Sequence, residues 1–302
     1  MQHKHGHSLT EDLPLIEKQL LGRRHALRLL ALSGAAAVLP GCGGGSDSDT
    51  TAGTAISTTT TSTPTVPTTT STPTTPTTAN GSNGACVVNS TETNGPYPAD
   101  GTNTSRGVTS NLLTQSGAIR SDIRSSFLNS STTAPGVRLD LTITLVNVSN
   151  ACNPLAGYVI YLWHCDAQGH YSLYDLPAET YLRGIQLTDG NGEVTFTTIV
   201  PGAYAGRYPH IHFEVFSSLA AATSGRSSLL ISQFALPYTQ SQEVYTDTAV
   251  YGSSVTRLPQ TPMASDNVFG DNTTAQITQQ TIAMSGSRST GYTGTVLVGI
   301  NT

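Results

Sequence analysis

Alternating apolar and polar positions mark the C-terminal part of the chain as a set of short strands. Residues 137–147 (VRLDLTITLVN) place Leu139, Leu141, Ile143 and Leu145 at every second position, which puts these side chains on one face of a strand. Other short segments have the same apolar and β-branched character and are separated by turn residues: Tyr158–His164, Glu193–Ile199, Pro209–Phe216, Leu229–Phe234 and Gly294–Ile300. Strands at this spacing predict an all-β fold, a β-sandwich of mainly antiparallel strands with little helix. We expect at most a turn or two of helix, over residues 120–130 and 239–252.

The N-terminal part of the chain does not follow this pattern. Residues 43–84 are rich in Gly, Ser, Thr and Pro and contain no Lys, Arg or aromatic residue. Such a stretch buries too little apolar surface to offset the entropy lost on ordering. We therefore predict a disordered Ser/Thr/Pro linker over residues 43–84, between a signal segment, residues 1–42, and a folded domain, residues 85–302.

The signal segment has the features of an export signal. The pair Arg23-Arg24 precedes a short apolar run, residues 27–39, which is too short to span a bilayer and resembles a twin-arginine signal. Cys42 follows a small residue, as the lipidated cysteine of bacterial lipoproteins does, although Pro40 is unusual at its position. The prediction is an exported protein, periplasmic or at the cell surface, attached to the membrane through Cys42.

Charge and cysteine content narrow the function classes. Charged residues are 11% of the chain and the net charge is −5, which excludes the basic face that nucleic acid binding requires. An exported protein permits a disulfide, and we pair Cys86, which opens the domain, with Cys152, which lies in a loop before a strand. Cys165, at a strand end, is predicted to be a buried thiol. The absence of a CxxC pattern argues against a structural zinc site.

The most specific chemical signal is the sequence His210-Ile211-His212. On a strand, residues i and i+2 point to the same face, so both imidazoles can reach one metal while Ile211 and Phe213 face the opposite side. The pair alone is equally consistent with ordinary strand histidines. Two tyrosines upstream add to it: Tyr171 follows a glycine turn, and Tyr204 ends a Pro-Gly-Ala-Tyr turn.

Together these motifs resemble the intradiol ring-cleavage dioxygenase family, which includes protocatechuate 3,4-dioxygenase and the catechol dioxygenases. The resemblance implies Fe(3+) as cofactor, with the ligands Tyr171, Tyr204, His210 and His212. It implies that Arg207 binds the substrate and stabilises its negative charge, and that Tyr204, once displaced by the substrate, acts as a base. Tyr97 ends a Thr-Asn-Gly-Pro-Tyr sequence, residues 93–97, that matches the family's entrance motif with Asn in place of Glu. Tyr97 is therefore a candidate substrate-binding residue.

The resemblance covers roughly residues 86–302 and is most specific over 157–216. It is closest to the exported branch of the family, which shares the motifs at residues 163–167 (WHCDA) and 183–186 (RGIQ). It implies Fe(III)-dependent intradiol cleavage of a catechol-type aromatic by O₂, giving a muconate-type dicarboxylic acid. Phenolate and imidazole ligands suit a ferric ion better than a soft metal. The link between Tyr204 and His210 is much shorter than in the soluble catabolic enzymes, so the particular substrate is not inherited from them.

Several alternatives stay open at this point. Tyr208 and Tyr174 compete with Tyr204 and Tyr171 as ligands, Tyr97 is equally consistent with a core residue, and Arg207 with a surface charge. The turns at residues 188–192 and 201–204 also occur in prealbumin-like modules, so a non-catalytic surface binding or spacer domain on a lipid-anchored stalk is the main competing function. A copper or zinc site without oxygenase activity is a third interpretation.

Overall fold

The computed structural model describes residues 86–302, in which strand residues clearly outnumber helical residues. The strands are β1 (Asp100–Ser105), β2 (Val108–Asn111), β3 (Arg138–Asn147), β4 (Asn153–Pro154), β5 (Val159–Trp163), β6 (Arg183–Leu187), β7 (Glu193–Ile199), β8 (His210–Phe216), β9 (Leu230–Ala235), β10 (Ala283–Ser287) and β11 (Gly291–Ile300). The α-helices are α1 (Tyr238–Tyr245), α2 (Thr248–Tyr251), α3 (Ser254–Arg257) and α4 (Thr274–Gln280). The predicted all-β class with little helix is confirmed.

Two sheets form the sandwich and a separate hairpin, β1–β2, lies beside them. The first sheet has the order β10-β11-β3, with β7 and β4 pairing to successive parts of β3. The second sheet has the order β6-β5-β8-β9, and every pair in it is antiparallel. Only β3 and β11 are parallel among the named strand pairs of residues 86–302, in register from Leu139 with Tyr292 to Asn147 with Ile300. The sheets are therefore mainly antiparallel, as predicted.

The facing sides of the two sheets form the core. Leu139, Leu141, Ile143 and Leu145 of β3 are fully buried, as the alternation in the sequence predicts. They belong to one apolar cluster with residues of the second sheet, among them Ile211, Phe213, Val215 and Phe234. Burial of each such side chain contributes about 1.5–3 kcal/mol to stability. The rings of Phe213 and Phe234 stack with centroids 4.1 Å apart.

The two helix predictions have different outcomes. Residues 239–252 contain α1 and α2, which confirms that prediction. The prediction for residues 120–130 is wrong, because this segment is extended and bonds to the sheets. The backbone N–H of Ile123 donates to the carbonyl of Thr197, and the N–H of Leu182 donates to the carbonyl of Ile123. Ile123 is fully buried in the core, so its backbone groups need hydrogen-bond partners. These partners come from other segments of the chain and not from within a helix.

The cysteine predictions are confirmed. Cys86 and Cys152 form a disulfide, and Cys165 is a buried free thiol. The predicted signal segment, the lipidation site at Cys42 and the linker over residues 43–84 lie outside the described residues. No helix within residues 86–302 is long and apolar enough to cross a membrane.

Candidate metal centre

Strand β8 carries different chemistry on its two faces. Ile211, Phe213 and Val215 enter the core, whereas His210 and His212 lie on the other face, and each is only 2% exposed. Strand pairing places His212 opposite Trp163 of β5 and Gln233 of β9. Trp163 in turn lies opposite Arg183 of β6, so a buried row of mostly polar side chains crosses the sheet on the side away from the core.

Four donor atoms converge on this face. The Nε2 atoms of His210 and His212 are 3.1 Å apart. The hydroxyl of Tyr204 lies 3.2 Å from Nε2 of His210, and the hydroxyl of Tyr171 lies 3.2 Å from Nε2 of His212. The two hydroxyls are 3.4 Å apart. Donors bound tetrahedrally to one metal at about 2.0–2.1 Å lie about 3.3–3.4 Å from one another, so the spacing of this cluster fits a single metal ion.

Both imidazoles are in the form that binds metals. Nδ1 of His210 donates to the carbonyl of Tyr208 at 2.6 Å, which leaves the Nε2 lone pair facing the cluster. His212 is held by its ring, which stacks on Trp163 at 4.9 Å and 5°. Nδ1 of His212 has no hydrogen-bond partner within the described part of the chain. Burial, together with the charge of Arg207, lowers the pKa of His210 to about 3, and burial and His210 lower the pKa of His212 well below its usual range.

The two tyrosines differ in exposure. Tyr171 is fully buried, and its backbone N–H donates to Oδ2 of Asp175 at 2.8 Å. Tyr204 is half-buried and is followed by the exposed residues Ala205 and Gly206. Burial raises the pKa of both phenols above the usual range, so a metal bound here must displace their protons. The open side of the cluster is the side of Tyr204.

The competing tyrosines point their hydroxyls elsewhere. Tyr208 donates to the carbonyl of Leu236 at 2.9 Å. Tyr174 donates to Oδ1 of Asn103 at 2.7 Å. The structure therefore brings Tyr171 and Tyr204, and neither of these competitors, to the histidine pair.

Arg207 lies at the edge of the cluster and is only 3% exposed, so the alternative that it is a surface charge is wrong. Nε donates to Oδ2 of Asp266 at 2.9 Å, and Nη2 donates to Oε1 of Gln233 at 2.7 Å. Nη1 lies 3.4 Å from Nε2 of His210. Burial alone would lower the pKa of Arg207, but the carboxylate of Asp266 raises it above the usual value, so the group stays charged.

Tyr97 is half-buried beside the cluster. Its ring centroid lies 4.8 Å from that of Tyr171 and 5.1 Å from that of Tyr174. Its ring thus packs beside a candidate ligand and forms part of an aromatic wall.

Sequence reasoning missed three residues of this site: Gln233, Asp266 and Trp163. The ring of Trp163 stacks on His212. Trp163 belongs to a quoted motif, so a signal was available. Gln233 and Asp266 belong to no motif, and strand register and a distant loop bring them to Arg207. No group of three or more His, Cys, Asp or Glu residues within 86–302 is placed to hold a metal, so a metal at this site requires the tyrosines.

The chain is similar to known dioxygenases. The family model Dioxygenase_C, described as "Dioxygenase", matches residues 119–223, a range that includes all four donors and Arg207. An intradiol ring-cleavage dioxygenase from Tetranychus urticae is 25% identical with a TM-score of 0.54, over 72% of this chain and 95% of that chain. The dioxygenase domain of a dioxygenase carbohydrate-binding protein fusion from Streptomyces sp. SirexAA-E is 21% identical with a TM-score of 0.39, over 61% and 88% of the respective chains. No curated protein matches the chain.

The fold and the family match define this domain as a dioxygenase domain, an oxidoreductase class. Within that class, the chain is similar to the intradiol ring-cleavage dioxygenases.

Proposed function

We propose that this protein binds one ferric ion through Tyr171, Tyr204, His210 and His212 and cleaves a catechol-type aromatic with O₂ to a muconate-type dicarboxylic acid. The observation that carries the proposal is the convergence of two phenols and two imidazoles at 3.1–3.4 Å. This ligand set is hard to borderline, as a ferric ion prefers. When bound, the iron would supply a Lewis-acidic centre that favours loss of both catechol protons, and the resulting catecholate would be electron-rich enough to react with O₂.

The residues around the cluster have separate tasks in this proposal. Tyr204 is the donor on the open side of the cluster. It would be displaced from the metal by the substrate and would take up a proton from a substrate hydroxyl. Arg207 directs Nη1 toward the cluster, where it can stabilise negative charge that develops on the substrate. Tyr97 offers an aromatic face next to Tyr171, against which a planar ring can pack.

In this proposal, the chemistry of the cluster sets the substrate class. Two adjacent hydroxyls are required to replace donors at one metal, which limits the substrate to catechol-type diols. The segment from Tyr204 to His210 is short, and Ala205 and Gly206 are exposed. The proposed substrates are therefore catechols as a class, with hydroxyquinols and larger aromatic diols included.

The test is metal analysis and visible spectroscopy of the full-length protein, followed by oxygen uptake with a panel of these diols. We expect one iron per chain, a tyrosinate-to-iron absorption band, and products whose mass equals that of substrate plus O₂. Copper or zinc in place of iron, or iron without a visible band, contradicts the proposed centre. A coloured iron protein that consumes no oxygen with any diol contradicts the proposed reaction and leaves the metal assignment standing.

We also propose that the protein is exported and attached to a membrane through Cys42. The Cys86–Cys152 disulfide supports this, because disulfides persist mainly in oxidising compartments. A Cys42→Ala variant should move from the membrane fraction to the soluble fraction of the same compartment. Equal membrane retention of the variant contradicts lipid attachment at Cys42.

A further inference from the structure

The carboxylate of Asp266 anchors the guanidinium of Arg207, which reaches the candidate metal centre. Asp266 is only 2% exposed. It accepts hydrogen bonds from Nε of Arg207 at 2.9 Å and from the backbone N–H of Tyr208 at 2.7 Å. Its other oxygen accepts from the N–H groups of Val268 at 2.8 Å and Phe269 at 3.1 Å. The carboxylate thus joins the segment before β8 to a loop 59 residues further along the chain.

A second anchor completes the restraint on Arg207. Nη2 donates to Oε1 of Gln233 at 2.7 Å and lies 3.4 Å from Oδ1 of Asp266. The amide of Gln233 is itself fixed, because its Nε2 donates to the carbonyl of Thr93 at 2.8 Å. A guanidinium is planar and rigid, so fixing Nε and Nη2 also fixes Nη1. That nitrogen lies 3.4 Å from Nε2 of His210, beside the donor cluster.

We propose that Asp266 is a positioning residue for the ring-cleavage reaction, holding Arg207 so that Nη1 faces the site where negative charge develops on the substrate. The inference rests on the proposed function. A donor that is already oriented needs no reorganisation when charge develops, which is the source of its effect on rate. Asp266 also forms a buried ion pair with Arg207, which offsets the cost of burying that charge.

A purely structural role is the competing account, since Asp266 also accepts three backbone N–H groups. The two accounts differ in how the effect of Asp266 depends on Arg207. A positioning residue acts through Arg207 and has no effect on rate once the guanidinium is gone. A structural clamp lowers the amount of folded protein whether or not Arg207 is present.

The experiment is a double-mutant cycle of Asp266→Asn and Arg207→Gln in the full-length protein, with kcat expressed per bound iron. We expect Asp266→Asn to lower kcat by about 30- to 100-fold while KM stays within about twofold. The double variant should have the same kcat as Arg207→Gln alone. Asp140→Asn is the matched control, because Asp140 pairs with Arg138 on the other sheet and should leave kcat unchanged. Multiplying effects in the double variant, or a change in KM alone, overturns the proposal.

A second readout does not depend on activity. In ¹⁵N-arginine-labelled full-length protein free of paramagnetic metal, the Nε–H of Arg207 should exchange slowly with solvent. Asp266→Asn should accelerate that exchange by at least about 100-fold, as a lost buried hydrogen bond would, and Asp140→Asn should not. Equal exchange in the wild type and in Asp266→Asn overturns the proposal.

The design separates the possible failures. If Asp266→Asn alone does not fold, the comparison of the double variant with Arg207→Gln decides the matter, because both lack the buried cation. If the wild type cleaves no diol, the proposed function fails, and the exchange measurement still decides whether Asp266 holds Arg207.

Discussion

The two sheets of the sandwich differ in what covers their outer sides. In β3 and β11, buried residues alternate with half-buried or exposed residues along most of each strand, as expected for a sheet with one face in water. In β5, β8 and β9 every residue is buried. The second sheet therefore has two interior faces. One belongs to the main apolar cluster, and the other combines a second apolar cluster, which includes Val159, Tyr161 and Phe216, with the buried polar row.

The outer side of the second sheet is covered by chain that does not belong to the sandwich. Gln233 donates to the carbonyl of Thr93, in the segment that precedes β1. Arg183 donates to the side chain and the carbonyl of Ser172, both at 2.9 Å. Polar groups that would be solvated on an ordinary sheet are thus buried and hydrogen-bonded, which fixes their positions. The face toward the first sheet thus contributes apolar packing, whereas the covered face combines apolar packing with the polar groups that provide the chemistry.

The largest expected difference between the two faces is between neighbouring residues on β8. His212→Ala should abolish iron binding and oxygen uptake, because it removes a donor, while the protein stays folded. Phe213→Ala should lower the free energy of unfolding by about 3–5 kcal/mol and leave the activity per bound iron unchanged. Denaturant unfolding and iron-normalised oxygen uptake check both. A Phe213→Ala enzyme that is stable but inactive contradicts the division between faces.

A second comparison separates the two tyrosines near the histidines. Tyr204→Phe should weaken and shift the visible band of a ferric centre and strongly lower activity, because it removes one of the two phenolate donors. Tyr208→Phe should keep the colour and the activity and lose about 1 kcal/mol of stability with its hydrogen bond to Leu236. Absorption spectra at equal iron content are the measurement. Loss of the band in Tyr208→Phe instead would reverse the ligand assignment.

The sequence revealed those parts of the fold whose signal is local. The alternation of Leu139 to Leu145 is a property of a few consecutive residues, and β3 was predicted from it. The hairpin β1–β2 and strand β6 were not predicted. Residues 100–105 are almost entirely polar, and β6 begins with Arg183-Gly184. In both cases tertiary packing overrides a pattern that does not resemble a strand.

The same limit applies to the site. His210 and His212 share a face because strands have a period of two, which is readable from three residues. Tyr171 and Tyr204 were found through family motifs, not through geometry. Gln233 and Asp266 could not be found, since neither a strand register nor the path of a loop follows from local sequence.

The covered face also depends on a covalent tether. The Cys86–Cys152 disulfide ties the start of the covering segment to the loop after β3. Cys86→Ser should lower the free energy of unfolding by about 2–4 kcal/mol and lower activity only modestly. Cys165→Ala removes a thiol with no disulfide and should cost about 1 kcal/mol or less. Thermal unfolding in the absence of reductant tests the pair, and equal losses would show that the tether is unimportant.

The smallest effect concerns the contact between the covering segment and the histidine pair. Gly95 has φ +69°, and a Cβ there would lie 3.2 Å from Cε1 of His212. Gly107, in the β1–β2 turn, has φ +81° and nothing within 4 Å of an added Cβ. Alanine at either position should cost about 1 kcal/mol of backbone strain. The two variants are therefore matched in stability and differ only in what the methyl group contacts.

Gly95→Ala should lower activity severalfold, because the methyl group displaces either the His212 ring or the segment that covers it. Gly107→Ala should leave activity unchanged, since its methyl group points into open space. Oxygen uptake per bound iron, measured well below the unfolding temperature of both variants, isolates the difference from their shared loss of stability. Equal activities would mean that the covering segment shifts to accommodate the methyl group while His212 stays in place. The covered face would then tolerate change at this contact, and the position of His212 would depend only on the buried row of side chains from Arg183 to Gln233.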